Sequence, residues 1–404
     1  MEVALNLTWN YALSDENESY YMTGNVTQNT TTATSVIERV RSKCALEWQV
    51  YVKLVFIPLF LLIGLVGNSI SFTVMCTKTY RRKSYSYYLR ALAVFDTLSL
   101  LCIVVEEMHG VSHKLEAFNF ELFKPASNAA CKAQVFFQHT VQLISSWLVV
   151  SFTIDRFVAV CYPLQRAYVC TERVAITVLS LMLLLMSAAQ CYHIIYISYE
   201  PMRPQEACFA YGDKEFMLKY FTINYFTYNL LLYFVPFVII MVCNNKIICH
   251  IVRMKKVRVT EQRTTSRRAN LAIYTLHAVC ITFTLTLLPN AALSFTQYVA
   301  IVFFSYRELL CTLRQLSAPF QVIRLINYSC NFILYGLTGR RFRTETRELM
   351  SAITSLCSCC QRAMEESATG ENIPIANLKV CKNSKNSSDS RKQQDEENKL
   401  LRYN

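Results

Sequence analysis

The chain has 404 residues, of which 53% are hydrophobic and 17% are charged, and its mean hydropathy is +0.24. So little charge, together with long uncharged runs, disfavours a set of soluble domains. The net charge of +13 would suggest a nucleic-acid partner in a soluble protein, but the basic residues here lie beside apolar runs, as they do at the cytoplasmic flanks of membrane helices.

Most of the 17 cysteines lie inside apolar runs, where cysteine is usually a small buried hydrophobic residue. Their spacing fits no metal motif, and no Ser/His/Asp pattern stands in a suitable local context. We therefore expect no metal centre and no catalysis. The first forty residues lack the apolar core of a signal peptide, so the first membrane span is expected to direct its own insertion.

Residues 1–48 are predicted to form an extracellular, glycosylated tail. Four Asn-x-Ser/Thr acceptor sequons crowd this segment, which is rich in Thr and Asn and too polar to fold. They begin at Asn6, Asn17, Asn25 and Asn29. The alternative is a chance excess of Asn and Thr.

Seven apolar runs within residues 49–338 predict seven transmembrane helices, because a bilayer core of ~30 Å requires about 20 apolar helical residues. The runs cover residues 54–77, 91–105, 133–154, 174–199, 220–245, 269–306 and 313–337. The sixth run is too long for one span, so its end is predicted to be an extracellular loop. The seventh is the poorest, because Arg314 and Arg324 interrupt it.

Lysine and arginine concentrate after the first span, between the third and fourth, between the fifth and sixth, and after the seventh. The alternate loops are mixed in sign. The positive-inside rule therefore places the N-terminus outside and the C-terminus inside, in agreement with the sequons.

Residues 339–360 are predicted to form a short amphipathic helix on the inner leaflet, because apolar residues such as Phe342 and Ile353 recur among basic ones. The cysteines near its end are candidates for palmitoylation, with free thiols as the alternative. They are Cys357, Cys359 and Cys360. Residues 361–404 are polar and are expected to form a disordered cytoplasmic tail.

The acid–base pair Asp155-Arg156 before Phe157, and the ending Asn331-Phe-Ile-Leu-Tyr335, resemble the motifs of rhodopsin-like (class A) G-protein-coupled receptors. Further matches stand in the family's order along the chain. They are Gly67, Asn68, Asp96, Cys131, Cys208, Pro236, Phe283, Pro289 and Phe342. The resemblance implies an all-α membrane protein, a seven-transmembrane helix bundle with a short amphipathic eighth helix.

Departures from the family pattern suggest a branch. Leu287 replaces the usual tryptophan of the sixth span, Asn244 a tyrosine of the fifth, and Phe332 the proline of the seventh-span motif. The Asn-Phe-x-x-Tyr ending is similar to that of invertebrate FMRFamide, myosuppressin-like and sex-peptide-type receptors. The resemblance therefore implies a neuropeptide receptor.

The resemblance also implies an activation switch. Asp155 would hold Arg156 in the inactive state and release it toward the G protein. The residues carried over for activation are Asp155, Arg156, Phe157, Phe283, Pro289, Asn331 and Tyr335. Ala269 stands where some relatives carry an acid at the base of the sixth span, so we expect raised basal signalling.

Asp96 is a carboxylate in the middle of a span and needs partners. Ser145, Asn327 and Asn331 match the family positions that surround it. Such oxygen ligands suit a hard cation, so a bound sodium ion is predicted, with an ion-free polar cluster as the alternative. The resemblance further implies a Cys131–Cys208 disulfide, and a second bridge between Cys44 and Cys311 stays open.

The candidate ligand pocket lies toward the outer ends of the spans. Its residues are Glu106, Glu107, Gln138, His139, Tyr225, Tyr228, Asn290, Gln297, Gln321 and Arg324. Arg324 needs a counter-ion, for which Glu106 or Glu107 is the natural partner, and the other acid would then receive a cationic ligand group. The alternative is that both glutamates face outer water.

Amine ligands are disfavoured because Gln138 stands where amine receptors carry an acid, and retinal because no lysine lies between residues 313 and 335. An amidated peptide with an Arg-aromatic ending suits the acids and aromatic residues. We therefore predict a plasma-membrane receptor for an RFamide-like neuropeptide, with heterotrimeric G proteins, arrestin and receptor kinases as partners. One alternative is a chemosensory receptor for a small molecule. The other is a transporter, although the sequence lacks the internal repeats expected of one.

Overall fold

The computed structural model describes residues 47–115, 127–199, 208–210, 212–257, 282, 285–304, 307–338 and 340–368. The chain divides into two compact units, Met1–Thr338 and Gly339–Asn404. The four glycosylation sequons and Cys44 lie outside the described residues, as do Arg268, Ala269 and Phe283.

The described residues of the first unit form long helices and a short hairpin. The first helices are α1 (Glu47–Met75), α2 (Ser84–Leu115), α3 (Asn128–Cys161), α4 (Pro163–Val169), α5 (Glu172–Gln190) and α6 (Tyr192–Tyr196). The strands β1 (Ile197–Tyr199) and β2 (Cys208–Ala210) follow and form the hairpin. The second half contains α7 (Lys214–Asn224), a π-helical stretch (Tyr225–Phe234), α8 (Val235–Val257), α9 (residues 285–299), a π-helical turn (Ala300–Phe304), α10 (Arg307–Ser329) and α11 (Asn331–Thr338).

In the described part of the chain, six helical segments are long and apolar enough to cross a membrane. They are Trp48–Met75, Ser84–Glu107, Asn128–Cys161, Glu172–Tyr196, Glu215–Met254 and Leu285–Phe303. The seventh predicted span corresponds to α10 and α11, whose polar and basic side chains lower its hydropathy. The protein is therefore a multi-pass membrane protein.

The sixth apolar run departs from its prediction. Its end was expected to be a loop, but residues 285–304 are helical. A helix satisfies the backbone N–H and C=O groups of these apolar residues, which a loop would leave unpaired. The helix ends at Phe304 in a π-helical turn.

The long π-helical stretch in the fifth span has a cause in the sequence. Pro236 lacks an N–H group and cannot donate to the carbonyl of Leu232 four residues earlier. The hydroxyl of Ser146 on α3 donates to this carbonyl at 2.8 Å, and the indole Nε1 of Trp147 donates to the carbonyl of Leu231 at 3.1 Å. Span three therefore stabilises the distorted backbone of span five.

Helix starts follow capping rules. The side chains of Ser127, Thr171 and Asp213 accept hydrogen bonds from backbone N–H groups three residues later, at 3.2, 3.3 and 2.8 Å. These caps fix where α3, α5 and α7 begin.

The first, second and seventh spans pack closely. Ile57, Leu100, Ile103, Leu325 and Tyr328 form a buried apolar cluster between α1, α2 and α10. A Cβ atom at Gly64 would lie 2.2 Å from a methyl carbon of Leu100, so the small residue permits the close approach of α1 and α2. The amide of Asn68 donates to the carbonyl of Tyr328 at 3.2 Å and adds a buried polar contact.

A disulfide joins α3 to the hairpin. Cys131 and Cys208 are bonded, which confirms the predicted bridge. Strands β1 and β2 pair antiparallel, with Tyr199 opposite Cys208, and the backbone N–H of Tyr199 donates to the side chain of Asn128 at 3.0 Å. The end of the bundle that carries this bridge is called the cysteine end below, and the opposite end of α3, with Asp155 and Arg156, the Asp-Arg end.

In the second unit the structure describes residues 340–368, which form helix α12 (Arg340–Ala368). It carries apolar residues among basic ones, as predicted, but it continues past the expected boundary at residue 360. Met350 and Ile353 are exposed on it. The candidate palmitoylation residues Cys357, Cys359 and Cys360 lie within this helix, and their side chains are outside the described part.

Candidate functional site

A buried polar cluster surrounds Asp96 in the middle of α2. The hydroxyl of Ser145 donates to one carboxylate oxygen, and the amide of Asn331 donates to the other at 2.6 Å. Asn331 also contacts the carbonyl of Asn327, whose side-chain oxygen accepts from Thr286 at 3.4 Å. Residues of the second, third, sixth and seventh spans are thus brought to one place.

This cluster fits a sodium ion by its chemistry. Asp96 is 1% exposed and supplies a carboxylate, Ser145 a hydroxyl and Asn327 an amide oxygen. These would be the residues that hold the cation. When bound, sodium would supply a positive charge that offsets the buried carboxylate.

The two glutamates at the end of the second span have different partners. Glu107 forms an ion pair with Lys53 of α1 at 2.9 Å, and both side chains are almost fully buried, at 4% and 7% exposure. Glu106 accepts a hydrogen bond from the amide of Gln138 on α3. The alternative that both glutamates face outer water is therefore wrong for Glu107.

Arg324 on α10 does not form the predicted ion pair. Neither glutamate lies within 4 Å of its guanidinium group among the described contacts, although Glu106 is in electrostatic range. Glu107 is paired with Lys53 instead, a residue that the hydropathy pattern placed just outside the first span. Arg324 is 8% exposed, so its guanidinium group is buried in the bundle.

An aromatic cluster joins the third, fourth and fifth spans beside these charges. The ring of His139 lies 4.4 Å from that of His193 and 4.3 Å from that of Tyr228, measured between ring centres. His139 contacts the carbonyl of Val135 through Nδ1, and Tyr228 donates to the side-chain oxygen of Gln142. His193 is fully buried.

The other predicted pocket residues occupy the fifth to seventh spans. Tyr225 stacks on Tyr298 with ring centres 4.3 Å apart. The amide of Asn290 donates to the carbonyl of Thr286 at 2.8 Å. Gln297 is buried, and Gln321 is half-buried one turn before Arg324.

At the Asp-Arg end, the two charges of the motif separate. The carboxylate of Asp155 accepts from the hydroxyl of Ser84 at 2.6 Å, and no ion pair with Arg156 forms within 4 Å in the described structure. The guanidinium of Arg156 instead covers the ring of Tyr85, 3.6 Å from its centre, and lies 5.4 Å from that of Phe152. The prediction that Asp155 holds Arg156 is thus not what this structure shows, because the start of α2 offers each group a nearer partner.

The remaining activation residues are placed as follows. Phe157 packs edge-on against Tyr162, with ring centres 5.5 Å apart. Phe332, which stands where the family has proline, packs 3.0 Å from the position that a Cβ atom at Gly67 would take. Pro289 lies within α9 and Tyr335 within α11. The side chain of Cys311, proposed for a second bridge, is outside the described residues.

Sequence reasoning missed several members of these sites. Lys53 borders the first apolar run, and its position there was the available signal. Gln142 follows Gln138 by four residues, so helical spacing alone places both on one face of α3. His193, Ser84 and Tyr85 carried no signal, because only the packing of the spans brings them to the site.

The chain matches the family model described as 7 transmembrane receptor (rhodopsin family) over residues 67–335, which is more than half of its length. It is 35% identical over 116 residues to human Olfactory receptor 51T1, covering 29% of this chain and 33% of that protein. It is 28% identical over 138 residues to the dog Cholecystokinin receptor type A, covering 34% of this chain and 30% of that protein.

The matched stretches span about a third of these curated relatives. Neither relative is an invertebrate FMRFamide-type receptor, so that narrower assignment stays a prediction. The family consists of receptors rather than enzymes, in agreement with the expectation of no catalysis. By the match to the family model, together with its apolar helices and the Cys131–Cys208 bridge, this chain belongs to the rhodopsin family of seven-transmembrane receptors.

Proposed function

We propose that this protein is a plasma-membrane receptor with its N-terminus outside, which binds an extracellular amidated, RFamide-like neuropeptide and signals through heterotrimeric G proteins. The observation that carries the proposal is the family match over residues 67–335. A peptide bound at the cysteine end would shift the population toward a state open at the Asp-Arg end. Arrestin and receptor kinases are the further partners that the family suggests.

The polar character of the cysteine end supports a peptide ligand. Glu106, Gln138, Gln321 and Arg324 present carboxylate, amide and guanidinium groups beside the aromatic rings of His139, Tyr225 and Tyr228. A peptide carries both backbone amides and aromatic side chains that suit such a surface. Similarity to a cholecystokinin receptor agrees with this class, over the matched third of that relative.

Glu106 is the better candidate for a cationic ligand group. Glu107 already contacts Lys53, whereas the described contact of Glu106 is a neutral amide of Gln138. A ligand arginine at Glu106 would replace this amide by a charge-assisted hydrogen bond.

The second candidate function is a chemosensory receptor for a small molecule. Its support is the 35% identity to a human olfactory receptor, which exceeds the 28% identity to the cholecystokinin receptor, although over a shorter stretch. The two functions differ in the ligand and share the signalling step.

A G-protein activation screen of cells that express the full chain tests both functions. One plate holds amidated neuropeptides and the other holds small odorants and acids, and Glu106→Gln is measured beside the unchanged protein. We expect a response to an amidated peptide that falls at least tenfold in potency in Glu106→Gln. A response to small molecules alone would transfer the proposal to the chemosensory class.

A matched control uses the acid next in sequence. Glu107→Gln leaves Glu106 intact and removes the charge that faces Lys53. We expect it to lower the amount of folded protein at the cell surface rather than the potency of the peptide. Equal loss of potency in both variants would contradict a specific role for Glu106.

A further inference from the structure

Arg324 presents a buried donor that no described residue accepts from. It lies on α10 and is 8% exposed. Among the described residues, no acceptor lies within hydrogen-bond distance of its Nε atom, and no carboxylate forms an ion pair with it. A buried guanidinium in this state is costly, so its site calls for an additional group.

Gln321 carries a buried acceptor that lacks a donor among the described residues. This acceptor is its Oε1 atom. Gln321 precedes Arg324 by three residues on the same helix, and residues at this spacing lie on one face. A donor that needs an acceptor and an acceptor that needs a donor are therefore neighbours.

A third unsatisfied atom lies on the opposite wall. The Nε2 atom of Gln142 on α3 is buried without a partner among the described residues, while its Oε1 accepts from Tyr228. Gln142 lies one turn after Gln138, which donates to Glu106, so both glutamines belong to one polar face of α3. Among the described residues, Arg324, Gln321 and Gln142 thus carry two unpaired donors and one unpaired acceptor.

The charges around this region select the kind of group. A ligand carboxylate would pair with Arg324 but carries no donor for the buried Oε1 of Gln321. A ligand ammonium would meet the charge of Arg324 instead. A neutral group with an acceptor oxygen and N–H donors satisfies both side chains, and a primary carboxamide has this composition.

We propose that Arg324 and Gln321 bind the C-terminal carboxamide of the ligand peptide. Nε of Arg324 donates to the amide oxygen, and Oε1 of Gln321 accepts from the amide N–H. The inference rests on the proposed peptide-receptor function and names the part of the peptide that this site reads.

The test compares two probes that differ only in this group. The full-length protein is purified into lipid nanodiscs, and its thermal unfolding is measured with N-acetyl-Arg-Phe-amide and with N-acetyl-Arg-Phe carrying a free carboxylate. We expect half-maximal stabilisation by the amide at a concentration at least tenfold below that for the acid. Equal concentrations, or a preference for the acid, would overturn the inference.

Variants show which side chains cause the preference for the amide probe. Arg324→Gln and Gln321→Leu should each remove the preference for the amide. Gln190→Leu is the matched control, since its buried Oε1 also lacks a described partner but the residue lies on α5, outside the candidate ligand pocket. If Arg324→Gln does not fold, Gln321→Leu decides, and a preference that survives Gln321→Leu contradicts the assignment.

Basal nucleotide exchange on a G protein added to the same nanodiscs separates the two proposals. Exchange without stabilisation by either probe would overturn the carboxamide site and leave the receptor function standing. An absence of exchange together with an absence of stabilisation would count against both. Stabilisation by the amide, lost in Gln321→Leu and kept in Gln190→Leu, supports the inference.

Discussion

The guanidinium group of Arg156 lies 3.6 Å from the centre of the Tyr85 ring, while its sequence neighbour Asp155 accepts a hydrogen bond from Ser84. The first turn of α2 thus engages both charges of the motif. The restraint on Arg156 in this structure is therefore a cation–π contact with the second span.

Loss of the Tyr85 ring should raise basal signalling. A cation–π contact contributes about 0.5–2 kcal/mol, so Tyr85→Leu should shift the ratio of active to inactive protein by about twofold to thirtyfold. The measurement is ligand-free nucleotide exchange on a G protein at matched receptor amounts. Tyr85→Phe keeps the aromatic face and should stay near the unchanged protein. A Phe variant as active as the Leu variant would show that the ring is not the restraint.

The Lys53–Glu107 pair should behave as a buried ion pair. Removing one partner leaves an uncompensated buried charge, so Lys53→Met should lower the free energy of unfolding by about 3–5 kcal/mol. The double variant Lys53→Met/Glu107→Leu removes both charges and should recover most of this loss. Thermal unfolding of the purified protein measures both values. A double variant no more stable than Lys53→Met would contradict direct coupling of the two residues.

The cluster at Asp96 should make stability depend on sodium. Replacing choline chloride with sodium chloride should stabilise the protein. The gain should be about 1.4 kcal/mol when the sodium concentration is ten times its dissociation constant. Asp96→Asn removes the carboxylate and should abolish the difference between the two salts. Thermal unfolding at constant ionic strength is the measurement. An equal sodium effect in Asp96→Asn would place the ion elsewhere.

Cys170 should react slowly with alkylating reagents at neutral pH. It lies between the third and fourth spans, and burial, together with the nearby charge of Asp155, raises the pKa of its thiol to about 11 from an ordinary value of 9.0. A raised pKa keeps the thiol protonated at pH 7.5, with a thiolate fraction about a hundredfold lower than that of an ordinary thiol.

Peptide mass spectrometry after iodoacetamide treatment measures this rate. Alkylation of Cys170 should increase about tenfold per pH unit between pH 7 and 10. Asp155→Asn removes the negative charge that favours the protonated thiol, so it should lower the pKa of Cys170 and speed its alkylation. A rate that does not change with pH would show that access to the thiol, rather than ionisation, limits the reaction.

The sequence alone determined the class of fold. Seven apolar runs of bilayer length, the basic residues at their flanks and the ordered motifs from Gly67 to Tyr335 predicted a helical membrane receptor, because length and hydropathy are local properties. The meeting of Asp96 with Ser145, Asn327 and Asn331 was equally predictable from the resemblance, since these residues match positions of the family, whereas Thr286 was not predicted.

The tertiary structure decided which charges meet. Lys53 rather than Arg324 pairs with Glu107, and Tyr85 rather than Asp155 contacts the guanidinium of Arg156, although all six residues can be read from the sequence. Hydropathy gives the depth of a residue in a span but not the rotation of one helix against another. Partner choice between buried charges depends on that rotation at the scale of a few ångströms, and it is fixed by side-chain packing over the whole bundle.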